Sequence, residues 1–259
     1  MTQGNLDFLA PLFEIGESLT DKGSERVGFG LGEIGASSSL AQDDVGMDGY
    51  NTSSIVMHAI GAALDHALTL QLLVTRARVV TNAAPWTLLR GVIEPSSVAV
   101  WILDDSNRKH RQERALRVWH HDLAERGKWE DDLGFVPQSP ALNGRARAAQ
   151  LITIANNLGL RPQALNTKFT YSDAVAYAAE AVSMPRGTGR ARWRETSAFA
   201  HGRTWPLLRL SEPESAERIR GGYILTLTLS ENDLKPAAEF ATALLERALM
   251  DYAAAAGGE

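Results

Sequence analysis

The sequence predicts a mainly α fold, a multi-helix bundle with a small β-hairpin between the last two helices, and three observations predict it. Apolar residues recur at three- and four-residue steps over most of residues 53 to 203, which is the period of an amphipathic helix. That period switches to two near residues 207 to 230, where Leu208 and Leu210, then Tyr223, Leu225, Leu227 and Leu229, alternate with polar or small residues. It returns to helical spacing from Asp233 to Ala256, with Phe240, Leu244, Leu245 and Leu249 on one face.

Residues 1–52 read as a Gly/Ser-rich N-terminal arm or loop, without a sustained apolar period, and residues 53–256 as the bundle domain. Gly30, Gly32 and Gly35 match GxGxxG by letter, but no strong strand precedes them and no amphipathic helix follows, so a dinucleotide site is not expected. The first helix carries Val56, Ile60, Ala63, Leu64, Ala67, Leu70 and Val74 and is capped by Thr52, Ser53 or Ser54. A second runs from Pro85 or Trp86 to Leu103, with a kink at Pro95. A third spans about 107 to 129, with Leu116, Trp119 and Leu123 as its apolar stripe, and a fourth runs from Arg145 to Leu158, closed by Gly159. Tyr171 to Val182 and Gly189 to His201 are a fifth and a sixth.

Composition narrows the chemistry. The chain of 259 residues is long enough to bury a core, and its 44% apolar and 22% charged residues describe a globular protein. With no cysteine, disulfides, thiolate metal sites and cysteine nucleophiles are excluded. The opening segment has no basic stretch followed by an unbroken apolar run, and the apolar window at 85 to 103 is interrupted by Arg90, Glu94 and Pro95. These features lead to the expectation of a cytoplasmic protein without membrane contact.

The net charge of −5 hides a local reversal. Residues 186 to 203 hold Arg186, Arg190, Arg192, Arg194 and Arg203 against the single acid Glu195. At about 100° per residue, Arg190, Arg194, Ser197 and His201 share one helical face, while Trp193 and Ala200 are expected to point elsewhere. His201 falls in the last turn with Gly202 after it, where exposed carbonyls favour an imidazolium. A protonated imidazole is a general acid, and a guanidinium beside it stabilises a phosphorane. An RNA 2′-hydroxyl then supplies an internal nucleophile, so strand cleavage requires neither metal nor cysteine. The plainer reading pairs Arg194 with a carboxylate and makes His201 a helix-capping residue.

Arg90 and Glu94, at i and i+4 in the apolar run LLRGVIEPSSVAVWIL, are read as a partly buried ion pair or as a link to that stripe. Arg108, Lys109, Arg111, Arg114 and Arg117 form a second basic run, read as a solvated face that extends a phosphate-tracking surface if it lies beside Arg194. His58, His66, His120 and His121 lack the spacing of a metal site, so no metal or other cofactor is expected. Ser197 with His201 lacks the GxSxG strand–turn–helix context of a serine hydrolase.

The Arg194-to-His201 segment resembles the signature of the HEPN superfamily, Arg followed after four to six residues by His. Residues 53 to 203 also resemble HEPN-related helical proteins of unknown function with an Arg/Glu pair on an early helix and Ser-x-x-x-His-Gly on a late one; Arg90 with Glu94, and Ser197 with His201-Gly202, match these. The resemblance implies an all-α homodimer common in defence and toxin–antitoxin systems. It implies metal-independent endoribonuclease activity, with Arg194 binding the scissile phosphate and His201 as acid or base. Ser197, Glu94 and Arg90 would support them, and Arg190, Arg192 and Arg203 would bind RNA. An antitoxin or regulatory protein is a further partner expected on this basis. The alternative within the same resemblance is a non-catalytic module that binds a nucleotide, RNA or protein partner.

Overall fold

A computed structural model describes residues 6–21 and 28–257. Where an N-terminal arm or loop is predicted, the described residues form structure that belongs to the bundle. A 3-10 turn at Asp7–Leu9 leads into α1 (Ala10–Leu19), and a two-residue strand β1 (Thr20–Asp21) pairs antiparallel with β2 (Gly28–Phe29). Helix α2 (Ser39–Asp44) then starts on a Ser38 side chain that accepts from the Ala41 amide. Leu9, Leu12, Leu40 and Met47 are fully buried. The elements are too short to display a repeat, which is why their core positions escape a periodicity reading. Residues 1–5 and 22–27 of the predicted arm lie outside the described residues.

Helix α3 (Thr52–Gln71) buries Val56, Ile60, Ala63, Leu64, Ala67 and Leu70, the predicted face, and continues into a π-helical turn at Leu72–Ala77. Its cap differs from the expectation: the Asp44 carboxylate accepts from the Ser53 amide at 3.0 Å and from the Ser53 hydroxyl at 2.5 Å. Helix α4 (Ala84–Leu103) runs unbroken through Pro95 and is the central helix, packed against α3 and the last helix. Its Gly91 touches α3 so closely that an added Cβ would lie 2.3 Å from the His66 ring. Helix α5 (Arg108–Asp132) starts on Asn107, whose side chain accepts from the Lys109 amide.

Helix α6 (Gly144–Asn157) crosses α5 where Gly127 meets Gly144. The buried Glu130 accepts from the Gly144 amide at 2.7 Å and from Arg126 at 2.8 Å, and these donors hold its carboxyl below the usual range. Three helices follow: α7 (Pro162–Leu165), α8 (Tyr171–Ala181) and α9 (Arg186–Ala200).

The period-two reading begins too early. Leu208 lies in a short helix α10 (Thr204–Arg209), exposed, and the buried Leu210 closes that helix. Strands β3 (Ser211–Ile219) and β4 (Gly222–Leu229) form the predicted hairpin, and α11 (Glu231–Ala256) returns across the bundle. Phe240, Leu244 and Leu245 are fully buried against α4, while Leu249 packs at the edge of the core. The result is a mainly α bundle in which α4 is flanked by α3, α8, α9 and α11.

Candidate functional site at the crossing of helices α4 and α9

Helix α9 ends where its sequence directs. His201 caps it with φ −92°, and Gly202 follows at φ +61°, a conformation glycine adopts at no steric cost. The Gly202 amide donates to Phe199 O at 3.0 Å and the Arg203 amide to Ala198 O at 2.9 Å. This paired closure is the Schellman motif, and it fixes the exit of the chain so that the His201 side chain is exposed at the helix end.

One aromatic stack lays α9 against α4. Trp86 is fully buried, and its ring lies 4.8 Å from that of Phe199 with an interplanar angle of 14°. Phe199 is two residues before His201 and Trp86 is one turn before Arg90, so this stack brings the end of α9 to the first half of α4. Arg90 Nη1 then reaches to 3.5 Å from His201 Nε2. A guanidinium only donates, so in this contact Nε2 is the acceptor, and the distance is at the outer limit of a hydrogen bond.

Glu94 holds the guanidinium in place. Its Oε1 accepts from Arg90 Nε at 2.9 Å and from Trp193 Nε1 at 2.7 Å. Arg90 is therefore clamped through Nε, with its Nη edge directed toward His201. Both charged side chains are largely buried, 25% and 15% exposed for Arg90 and Glu94, so the pair is screened less than a surface one. Helical counting turns Trp193 away from this face; instead its indole reaches α4. Both Trp193 and Phe199 of α9 therefore meet α4, and Arg194 is exposed.

The remaining arginines of this segment divide into paired and open. Arg186 bonds Glu180 at 2.7 Å, Arg190 bonds Asp173 at 3.2 Å and Arg192 bonds Glu195 at 2.7 Å. Arg194 and Arg203 are exposed and enter no ion pair among the described residues. Ser197 is half-buried on α9, one turn before His201. The structure thus gathers Arg90, Glu94, Trp193 and His201 by direct contact, gives the side chains of Arg194 and Ser197 no hydrogen bond or ion pair with them among the described residues, and leaves Arg190 and Arg192 occupied by carboxylates.

Tyr171, at the first turn of α8, is a further neighbour that the sequence pattern does not single out. Burial pushes its phenol up, the Glu94 and Asp122 charges add to that, and Arg90 opposes it. Its ring stands edge-on to Phe169 with centroids 5.2 Å apart. Only α8 packing on α4 reveals it, and no local pattern could have.

Three members of the second basic run are engaged within the chain, and Arg117 acts on the same Asp173 carboxylate as Arg190. Arg111 is buried and forms a two-pronged bond with Asp43, at 2.7 and 2.8 Å. Arg114 donates to Trp101 O, pairs with Asp105 at 3.2 Å and lies over the Trp101 and Tyr177 rings. Arg117 donates to the carbonyls of Thr167 and Lys168. The reading of a solvated face is therefore corrected for these three, whose donors bind other parts of the chain. Among the histidines that lack metal-site spacing, His58 stands against Trp119, His121 against Phe169, and His66 against Gly91.

No family model, curated protein or solved structure matches this chain, so the site rests on its own geometry. That geometry defines an oriented guanidinium, an exposed imidazole at a helix end, and two further open arginines. Groups of this kind are chemically able to bind an anion and to exchange a proton beside it.

Proposed function

We propose that the protein is a metal-independent endoribonuclease whose site is the Arg90–Glu94–His201 cluster. The observation that carries the reading is the 3.5 Å approach of the clamped Arg90 guanidinium to the His201 imidazole, across 111 residues of chain. A phosphodiester entering between the Arg90 Nη edge and His201 has its charge met by a donor that Glu94 already holds in place, which limits the reorganisation needed as charge develops. The 2′-hydroxyl attacks the adjacent phosphorus, and His201 takes its proton at Nε2. The P–O5′ bond breaks as P–O2′ forms, and the imidazolium returns a proton to the 5′-oxygen, leaving a 2′,3′-cyclic phosphate. Arg194 and Arg203 would track the flanking phosphates.

A homodimeric, cytoplasmic enzyme of defence or stress response, controlled by an antitoxin or regulatory protein, belongs to the same proposal and rests on the resemblance to HEPN proteins. A second reading, a module that binds RNA or a nucleotide without cutting, is favoured by one feature: Glu94 already neutralises Arg90 in the free protein. Incubation of the protein and its His201→Ala variant with total RNA and a tRNA pool in EDTA separates the two. The proposal expects fragments with cyclic-phosphate ends from the parent protein alone. Retention of intact RNA on the protein, with no fragments, establishes the binding module instead.

A further inference from the structure

The hairpin has two very different edges. Strand β3 carries Glu212, Glu214, Glu217 and Arg218, and it is interrupted by Pro213 and an irregularity between Pro213 and Ser215. Strand β4, GYILTLTL, has no charge and no proline in eight residues. Charges, proline and bulges are the devices that keep a strand edge from pairing with another chain, so β3 is protected and β4 is not. A two-stranded hairpin is marginal in water without further cover. Here every β3 residue after Ser211 is exposed, and Tyr223, Ile224 and Leu225 are 65%, 54% and 42% exposed.

The register shows which groups are free. Ile219 faces Gly222 across the two-residue turn Arg220-Gly221, and such a closing pair exchanges both backbone bonds. Bonding to β3 therefore falls on Gly222, Ile224, Thr226 and Thr228, while the amides and carbonyls of Tyr223, Leu225 and Leu227 point outward. Pro213 faces Leu227, a position whose amide would point away from β4, where proline costs no ladder bond.

We propose that β4 pairs antiparallel with β4 of a second copy across a two-fold axis at Leu225, giving a four-stranded sheet. The occupant follows from the strand itself. With Leu225 opposite Leu225, Tyr223 falls opposite Leu227 of the second copy and the reverse, so all outward backbone groups on these three residues are met, by roughly six bonds. Side chains opposite one another share a face, so the apolar stripe of Tyr223, Leu225 and Leu227 continues across the axis. This inference is independent of the ribonuclease reading.

The absence of cysteine in the chain makes a direct test available. Opposed Cα atoms in a bonded antiparallel pair stand about 5.5 Å apart, within reach of a disulfide. Leu225→Cys is expected to give a covalent dimer under mild oxidation, at least tenfold faster than Glu217→Cys on the β3 side of the hairpin. Leu225→Pro removes an outward amide without touching the β3–β4 ladder, and light scattering should then show a monomer with unchanged helical circular dichroism. A monomeric parent protein at tens of micromolar, or a Leu225→Pro variant that remains a dimer, overturns the proposal. Equal crosslinking of the two cysteine variants does so too.

Discussion

The two arginine-rich stretches of this chain, on α5 and α9, look alike as sequence and are used in opposite ways. On α5, Arg111, Arg114 and Arg117 spend their donors on Asp43, Asp105 and the carbonyls of residues 101, 105, 167 and 168, so the run ties elements together. On α9, three arginines pair with nearby carboxylates, while Arg194, and Arg203 just past its end, remain exposed. A count of charges therefore does not locate a binding surface. What separates the two runs is where each guanidinium finds an acceptor.

The contrast is broken most sharply at its buried end. Arg111→Met leaves Asp43 buried without its cation, a change expected to cost about 3 to 5 kcal/mol of stability while leaving the cleavage rate of the folded fraction unaltered. Urea unfolding followed by circular dichroism measures the first, and an RNA cleavage assay the second. Near-normal stability would show that the α5 run is not the tie described here. The opposite pattern belongs to Arg194→Ala. Stability should stay within about 0.5 kcal/mol, as for an exposed side chain, and RNA cleavage should fall by about tenfold or more, with Arg194→Lys failing to restore it because an ammonium lacks the planar fork. Full activity in Arg194→Ala would remove that residue from the site.

Acid titration gives the smallest effect and separates the two regions by sign. On the α5 side, Asp105 is held below its ordinary 3.8: burial opposes this, and it is outweighed by the Asn107 amide with Arg114 and His110. A lowered carboxyl contributes stability above that value and loses it as pH falls below. On α9, burial raises the Glu195 carboxyl above its ordinary 4.5 against the pull of Arg192, so its contribution grows as pH falls toward that value. Asp105→Asn should therefore flatten the loss of stability between about pH 5 and 2, and Glu195→Gln should steepen the approach to it. Unfolding midpoints across that range check both slopes.

Much of the bundle is legible in the sequence because α3, α4 and α11 are long enough to show their period, and Val56 to Leu70 are buried as spaced. The N-terminal helices are not, since α1 and α2 carry only one or two buried turns each. Leu208 and Leu210 mislead because a leucine in a six-residue helix and the leucine that caps it, two apart, imitate a strand. At the site, motif spacing singles out Arg194 with His201, supported by Ser197, Arg90 and Glu94. It does not say that Arg90 is the guanidinium touching His201, because that depends on Trp86 stacking on Phe199, more than a hundred residues apart. Trp193 escapes for a related reason: helical counting ranks residues around an axis but does not say which side meets the neighbouring helix.

The central question is whether Arg90 serves the chemistry or only pairs with Glu94, and Arg90→Lys decides between these when cleavage rate and melting temperature are measured on the same preparation in EDTA. Lysine can keep a single bond to Glu94 but cannot also present a second donor edge beside His201. Cleavage is predicted to fall by about 100-fold, in the range for loss of a preorganised donor, with the melting temperature within a few degrees of the parent. Undiminished cleavage by Arg90→Lys would contradict a catalytic Arg90 and return Arg90 and Glu94 to a structural ion pair.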